Sequence, residues 1–273
     1  MTPTTTCLQL ETYENEQALN AKAMQQAIIY DELEIHYQPR YHFGSGKADI
    51  LEALVRWQHP VLGLLTPDKF IALAEEYDLI CMLGLQVFEQ SCKDILQLRK
   101  QLKHEVKIAV NISLLQCEDK LHAQKILNIC DKYDLDISDF EFELTESENM
   151  KSRDSVLRFC NTLTALGAEI SLDDFGTCYS PLNNLCDLPV SYIKVDRCFT
   201  RDIGSGSRSE ILISHLIRLA HEMNIKVVAE GVEHDYQRDM LMMMGCDQVQ
   251  GFYMCKPLSP QLLKAEHIKM QLS

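Results

Sequence analysis

The stretch AEISLDDFG, residues 168–176, carries an apolar run, Ile170 and Leu172, into two adjacent acids, Asp173 and Asp174, and then Gly176. No basic residue stands beside them in sequence. Successive strand residues face opposite sides of a sheet. Ile170 and Leu172 therefore share one face, with Ser171 and Asp173 on the other. The same parity recurs along the chain. In KIAVNIS (107–113), Ile108, Val110 and Ile112 oppose Ala109 and Asn111. In FEFELTES (140–147), Phe140, Phe142 and Leu144 oppose Glu141 and Glu143. In YIKVDR (192–197), Ile193 and Val195 oppose Lys194 and Asp196. In VVAEGV (227–232), Val227 and Ala229 oppose Val228 and Glu230, and in ILEALVRW (50–57) Glu52 and Arg56 share a face. Each strand has an apolar side to lay under a helix and a second side with polar tips near its C-terminal end.

These strands alternate with helical periodicity. Strands are expected at 34–41, 48–56, 106–112, 140–145, 168–174, 191–196, 225–230 and 247–253. Helices are expected at 16–30, 67–76, 80–102, 118–133, 152–166, 207–223, 234–244 and 260–270. Alternation of this kind means crossover connections and a mainly parallel sheet. Eight strands without a linker imply a closed α/β barrel of the (β/α)8, TIM type. HFGSGK (42–47) is too short for a crossover, so the first two strands form an antiparallel hairpin. Residues 1–15 read as a polar tail and 16–273 as one domain. The open (C-terminal) end of such a barrel is where active sites form.

That mouth would collect Glu52, Glu143, Asp173, Asp174 and Glu230, with Asn111 and a single cation, Lys194. Both aspartates cannot face inward on a regular strand, so Asp174 must lie where the chain turns, a turn Gly176 permits. Five carboxylates cannot all stay ionised around one lysine in a half-buried site; cations resolve the conflict. All-oxygen donors suit Mg2+ or Mn2+ rather than zinc. Two ions about 3.5–4 Å apart are the usual device for in-line attack at phosphorus, with Asp173 placed to bridge them.

Other features exclude alternatives. A net charge of −14 over 273 residues argues against a DNA or RNA polymer or an anionic membrane as partner. The 11 cysteines include no C-x-x-C pair and read as free thiols in a reducing compartment. MTPTTTCLQLETYENE (1–16) has no basic n-region or apolar h-region, and LICMLGLQVF (79–88) is too short to span a bilayer; a soluble cytoplasmic protein is the expectation. GSGK (44–47) lacks the spacing of a phosphate-binding loop. His59 reads as a loop histidine, Trp57 as core, and Met242–Met244 as core filling.

The motifs together resemble the EAL domains, bacterial cyclic-di-GMP phosphodiesterases. LEALVRWQHPVLGLLTPDKFIALAE (51–75) carries the Glu-Ala-Leu triplet at 52–54. YQP (37–39), VNIS (110–113), ELTE (143–146), SLDDFGT (171–177), LPVSYIKVDRCF (188–199), VVAEGVE (227–233) and CDQVQGFYMCKPL (246–258) follow in the family's order. The resemblance implies a modified barrel with one antiparallel strand, and hydrolysis of cyclic di-GMP to linear 5'-pGpG with Mg2+ or Mn2+, two ions per site. It implies Glu52, Asn111, Glu143, Asp173, Asp174 and Glu230 as metal ligands, and Lys194, with Glu52 and Glu230, as the catalytic set. Gln38, Leu54, Arg56, Asp196 and Gln250 would contact the nucleotide, Glu146 would anchor the loop 174–181, and the chain would form a homodimer. Three departures stand out. Arg40 replaces a usual apolar residue, which points to an altered substrate rim. Cys178 and Pro181 replace a Gly and a Ser in the loop, and Cys178 suggests redox sensitivity against the plainer reading of a bystander thiol. The competing functions are a silent cyclic-di-GMP receptor acting through a protein partner, and a barrel enzyme for another phosphodiester.

Overall fold

The reversed strand organises the barrel. The computed structural model describes residues 19–145, 152–176, 183–204 and 206–270. Helix α1 (Ala21–Ile29), capped by the Asn20 side chain on the Ala23 amide, leads into β1 (Leu33–His42). β1 pairs antiparallel with β2 (Ala48–His59), from Leu33 opposite Trp57 to Tyr41 opposite Ala48. A short β3 (Gly63–Leu65) hangs on the outer edge of β2. Then come α2 (Ile71–Glu76), α3 (Ile80–Leu102), β4 (Lys107–Ile112), α4 (Leu114–Glu118), α5 (His122–Tyr133), β5 (Phe140–Thr145), α6 (Arg153–Thr164) and β6 (Glu169–Phe175). The chain ends through α7 (Asn183–Asp187), β7 (Tyr192–Val195), α8 (Arg197–Thr200), α9 (Arg208–Glu222), β8 (Lys226–Ala229), α10 (Asp235–Met243) and β9 (Gln248–Val249).

The sheet runs β1-β9-β8-β7-β6-β5-β4-β2 and closes through the β1–β2 pair. β1 is antiparallel to both neighbours, and the other seven barrel strands run parallel. This is the expected α/β barrel with one antiparallel strand. The apolar faces pack outward as parity predicts. Phe140 and Phe142 meet Phe88 of α3 with ring centroids 4.7 and 5.8 Å apart, and Phe142 meets Phe159 of α6 at 6.3 Å. Each such fully buried ring contributes about 1.5–3 kcal/mol.

Several expectations are corrected. Residues 260–270 form no helix. Their backbone bonds go to the β1–β2 hairpin instead, Ala48 to Ile268 and Met270 to Gly46, and Leu263, Ile268 and Met270 are buried there. The helix expected at 118–133 begins only at His122, after the separate short α4 that ends at Glu118. Asp119 leaves the helical conformation and its side chain accepts from the Leu121 amide at 3.0 Å, a local bond that competes with helix. β9 stops at Val249 because the chain bends at Gly251, bonding back to Val232. Met242 and Met243 are 51% and 72% exposed, so only Met244 of that cluster packs on the core. His59 ends β2 rather than lying in a loop, with its ring edge-on to Trp57. Trp57 is core, as expected, and donates to Glu32 at 2.9 Å. The nine described cysteines are all free thiols. No helix among the described residues is long and apolar enough to cross a membrane. Glu146, Cys178, Pro181 and the tail 1–15 lie outside the described residues.

Candidate functional site

Lys194 on β7 is fully buried at the centre of the mouth. Its Nζ lies 2.8 Å from Glu143 on β5, 2.8 Å from Glu230 just past β8, 3.0 Å from Asp173 on β6 and 3.6 Å from Glu52 on β2. Burial alone would lower its pKa, but Asp173, Glu143, Glu230 and Glu52 together hold it well above the ordinary lysine value. It is an ammonium at any working pH. Parity alone placed these five groups on the inner face, and the barrel brings all of them together.

The carboxylates divide by environment. Burial would raise Glu52, but Lys194 and hydrogen bonds from Gln250 and Asn111 keep it below the usual range; Asn111 donates to it at 3.2 Å. Glu143 goes the other way, pushed well up by burial and by Glu52, Asp173 and Glu141 despite Lys194. Glu230 is pushed up to about 8, chiefly by burial. Asp174 is pushed up to about 6 by burial, Asp173 and Asp196. Without a metal ion, Glu143, Glu230 and Asp174 thus hold protons more tightly than exposed carboxyls do, and a bound cation would displace them.

Two groups of oxygens are arranged to accept cations. Donor atoms of Glu52, Glu143 and Asp173 lie within 4.8 Å of one another, as do those of Asp173, Asp174 and Glu230. Asp173 belongs to both. Buried Oε1 of Glu143 has no hydrogen-bond partner. Hard oxygen donors in overlapping trios, one with an unsatisfied atom, fit Mg2+ or Mn2+.

The β6 strand reaches this geometry by breaking its own regularity. Its register with β7 shifts between Leu172 and Phe175. Asp174 takes φ +53°, so the bulge lets neighbouring acids serve one mouth. Gly176 follows at φ +94°, and a Cβ there would meet the Phe199 ring at 2.9 Å. Gly176→Ala is therefore expected to cost about 1–2 kcal/mol and to lower the Tm by several degrees; a thermal melt within a degree of the parent would contradict the strained-turn reading.

The expected nucleotide contacts separate into two groups. Gln38, Glu52, Leu54, Asp173, Asp196, Glu230 and Gln250 line one cavity of about 200 Å³. Gln250 donates to Glu52 and to Gln38, and Gln38 donates to the Cys255 carbonyl at 2.9 Å. Asp196 also caps α8 through the Cys198 amide. A neighbouring, more apolar cavity of about 330 Å³ runs from Leu54 and Asn111 to Ser113 and Gln116. Arg56 lines neither; it is buried on β2 and donates to the Val55 carbonyl at 2.9 Å.

Arg40 is not on the rim. It is buried in the barrel below the mouth, bidentate to Glu141, with Nη1 3.6 Å from Glu143. Arg40 sits two residues from Gln38 on β1, so the parity rule that found the acids also reaches it. The interior thus holds two cations, not one.

The pKa of Glu230 gives a signed expectation. Its carboxyl keeps a proton to about 8 in the fold, against 4.5 when exposed. Between those values the folded chain binds more protons than the unfolded one, so metal-free stability falls as pH rises. From pH 5.5 to 8 the metal-free Tm should fall by a few degrees more in the parent than in Glu230→Gln, about 1 kcal/mol moving Tm roughly 2–4 °C at this size. Equal slopes would contradict it.

Fold and mouth define a (β/α)8-type barrel with an acidic, cation-accepting open end. The chain belongs to the EAL domain family, whose model matches residues 21–257. Over 259 residues it is 35% identical to the bifunctional diguanylate cyclase/cyclic di-GMP phosphodiesterase MucR of Pseudomonas aeruginosa, covering 92% of this chain and 38% of that one. It is 35% identical over 235 residues to the cyclic di-GMP phosphodiesterase PdeR of Escherichia coli, covering 86% and 35%. A solved structure, PaMucR phosphodiesterase in complex with c-di-GMP, aligns with TM-score 0.82 at 37% identity, over 90% of this chain and 100% of that one. The chain spans under half the length of the two curated relatives.

Proposed function

We propose that this chain hydrolyses one phosphodiester of cyclic di-GMP to linear 5'-pGpG with Mg2+ or Mn2+. The observation that carries the reading is the pair of oxygen trios sharing Asp173 around a buried ammonium. Glu52, Asn111, Glu143 and Asp173 would hold one ion, and Asp173, Asp174 and Glu230 a second. Bound there, the ions would neutralise charge on the phosphate and activate water toward phosphorus.

The chain's own groups do the rest. The Lys194 ammonium has no lone pair, so it orients the attacking water rather than taking its proton, which passes to the surrounding carboxylates. Water adds to phosphorus, the P–O3′ ester bond breaks, and the departing 3′ oxygen takes up a proton to become the free hydroxyl of 5'-pGpG. Gln38, Leu54, Asp196 and Gln250 position the dinucleotide, and Arg56 comes to the phosphate if its side chain swings from the Val55 carbonyl. Glu146 anchors the 174–181 loop in this reading, and the active form is a cytoplasmic homodimer. The cyclic-di-GMP ligand of the aligned PaMucR structure supports the choice of substrate.

The test is purified chain with cyclic di-GMP and Mg2+ or Mn2+, with Glu52→Ala alongside and chromatography for pGpG. Product from the parent and none from the variant is expected. Tight binding without product would make the chain a receptor; preference for generic diesters would make it another phosphodiesterase.

A further inference from the structure

Away from the mouth, the described residues contain one more trio of metal-ligating side chains whose donor atoms lie within 4.8 Å of one another: Cys81, Asp119 and His122. They come from three helix ends. Cys81 is the second residue of α3, Asp119 closes α4 and His122 opens α5. The break between α4 and α5 is what turns Asp119 and His122 toward the start of α3.

His122 is the unusual member. It is fully buried beside Phe159, ring centroids 6.2 Å apart. Its Nε2 faces the Gln116 amide nitrogen at 3.0 Å. Its Nδ1 is buried with no hydrogen-bond partner. A buried polar atom left unpaired costs about 1–3 kcal/mol, and its persistence in a packed wall calls for a cause. Burial also keeps the ring neutral, its pKa lowered to about 4, and the neutral imidazole is the ligating form. Asp119 accepts from the Leu121 amide through one oxygen and from Lys125 at 2.7 Å through the other, leaving lone pairs on both. Cys81 is only partly buried, so the trio is open to solvent on the thiol side.

We propose that Cys81, Asp119 and His122 form a second metal site that takes Zn2+ or a similar borderline transition ion, with its fourth position open. Sulfur, nitrogen and oxygen donors in one trio suit zinc, whereas the all-oxygen mouth suits harder ions. Binding releases the Cys81 proton and sets the cation against the Lys125 ammonium that shares Asp119.

The site is wired to the mouth. Gln116 Oε1 accepts from the Ser113 amide at 3.0 Å, so its NH2 group faces the ring. When Nδ1 ligates, the ring proton moves to Nε2, which then needs an acceptor. The Gln116 amide must turn over and release Ser113. Gly84 leaves the room this amide occupies, since a Cβ there would lie 2.0 Å from Gln116 Nε2. Ser113 and Gln116 line the same cavity as Asn111, Asp173 and Asp174, so occupancy of the outer site reaches the mouth wall through one amide.

Co2+ is the probe, because a cobalt–thiolate bond gives a near-ultraviolet charge-transfer absorption that an all-oxygen site cannot. Reduced, purified chain titrated with Co2+ should develop this band to one equivalent. Excess Mg2+ should leave it, and Zn2+ should bleach it. Cys81→Ser should lose the band with an unchanged Tm. Asp119→Asn, which keeps the cap on Leu121, should weaken cobalt binding at least tenfold, and Lys125→Met should tighten it. His122→Gln risks the core, so the proposal does not depend on it. No band in the parent, or a band that survives Cys81→Ser, overturns it.

Discussion

Lys194→Met is expected to destabilise the metal-free chain by about 3–5 kcal/mol, the usual consequence of removing one partner from a buried ion pair. Here the loss leaves Glu52, Glu143, Asp173 and Glu230 without the ammonium they share, and Arg40 remains 3.6 Å from Glu143. The carboxylates can relieve it only by taking protons, so the deficit should shrink as pH is lowered. Added Mg2+ should recover part of it, because ions in the oxygen trios supply the positive charge. Hydrolysis should not recover, since the water loses its orienting donor. Urea denaturation in chelator, then in Mg2+, measures both. Stability within 1 kcal/mol of the parent in chelator would mean that the acids are not held by this lysine.

Asp173→Asn has the opposite signature. It removes the one carboxylate common to both trios. Hydrolysis should fall at least about 10³-fold, at the upper end of what one preorganised electrostatic contact contributes. Yet the metal-free fold should be no weaker, because a like charge has left a crowded site. Mg2+, which should raise the parent's Tm by mass action, should move the variant's little. Two substitutions at adjacent contacts would thus separate fold from catalysis: the lysine holds the protein together, and the aspartate strains it for function. An Asp173→Asn chain that still gains Tm with Mg2+ would place the ions elsewhere.

Much of this was legible in the sequence. Alternation at Ile108/Val110 and Phe140/Phe142 fixed which faces pack under helices, and the short link at 42–47 fixed the reversed strand. The same parity put Glu52, Asn111, Glu143, Asp173 and Lys194 on one lining. What it missed were places where long-range bonds override local pattern. Residues 260–270 have helical spacing, but the hairpin offers their backbone better partners. Asp174 was expected at the mouth where the chain turns, but the register shift against β7 that makes the turn is not visible in a strand read alone. Arg40 looked like a rim residue because its partner, Glu141, lies 101 residues away. The exposure of Met242 and Met243 reflects α10 turning its flank outward, which helical period does not determine.

The Arg40–Glu141 pair also constrains how this sequence can change. Both side chains are shut inside the barrel. An apolar residue at 40 alone strands a buried acid, and a neutral residue at 141 alone strands a guanidinium whose Nη1 lies 3.6 Å from Glu143. Either single step costs several kcal/mol, a large part of the margin a protein of this size possesses. Neutral drift at the two sites is therefore blocked one residue at a time, and descendants of this chain must exchange both together or keep both. The pair acts as a ratchet on the lineage, and an Arg40→Met, Glu141→Gln double variant should recover the stability that either single change loses.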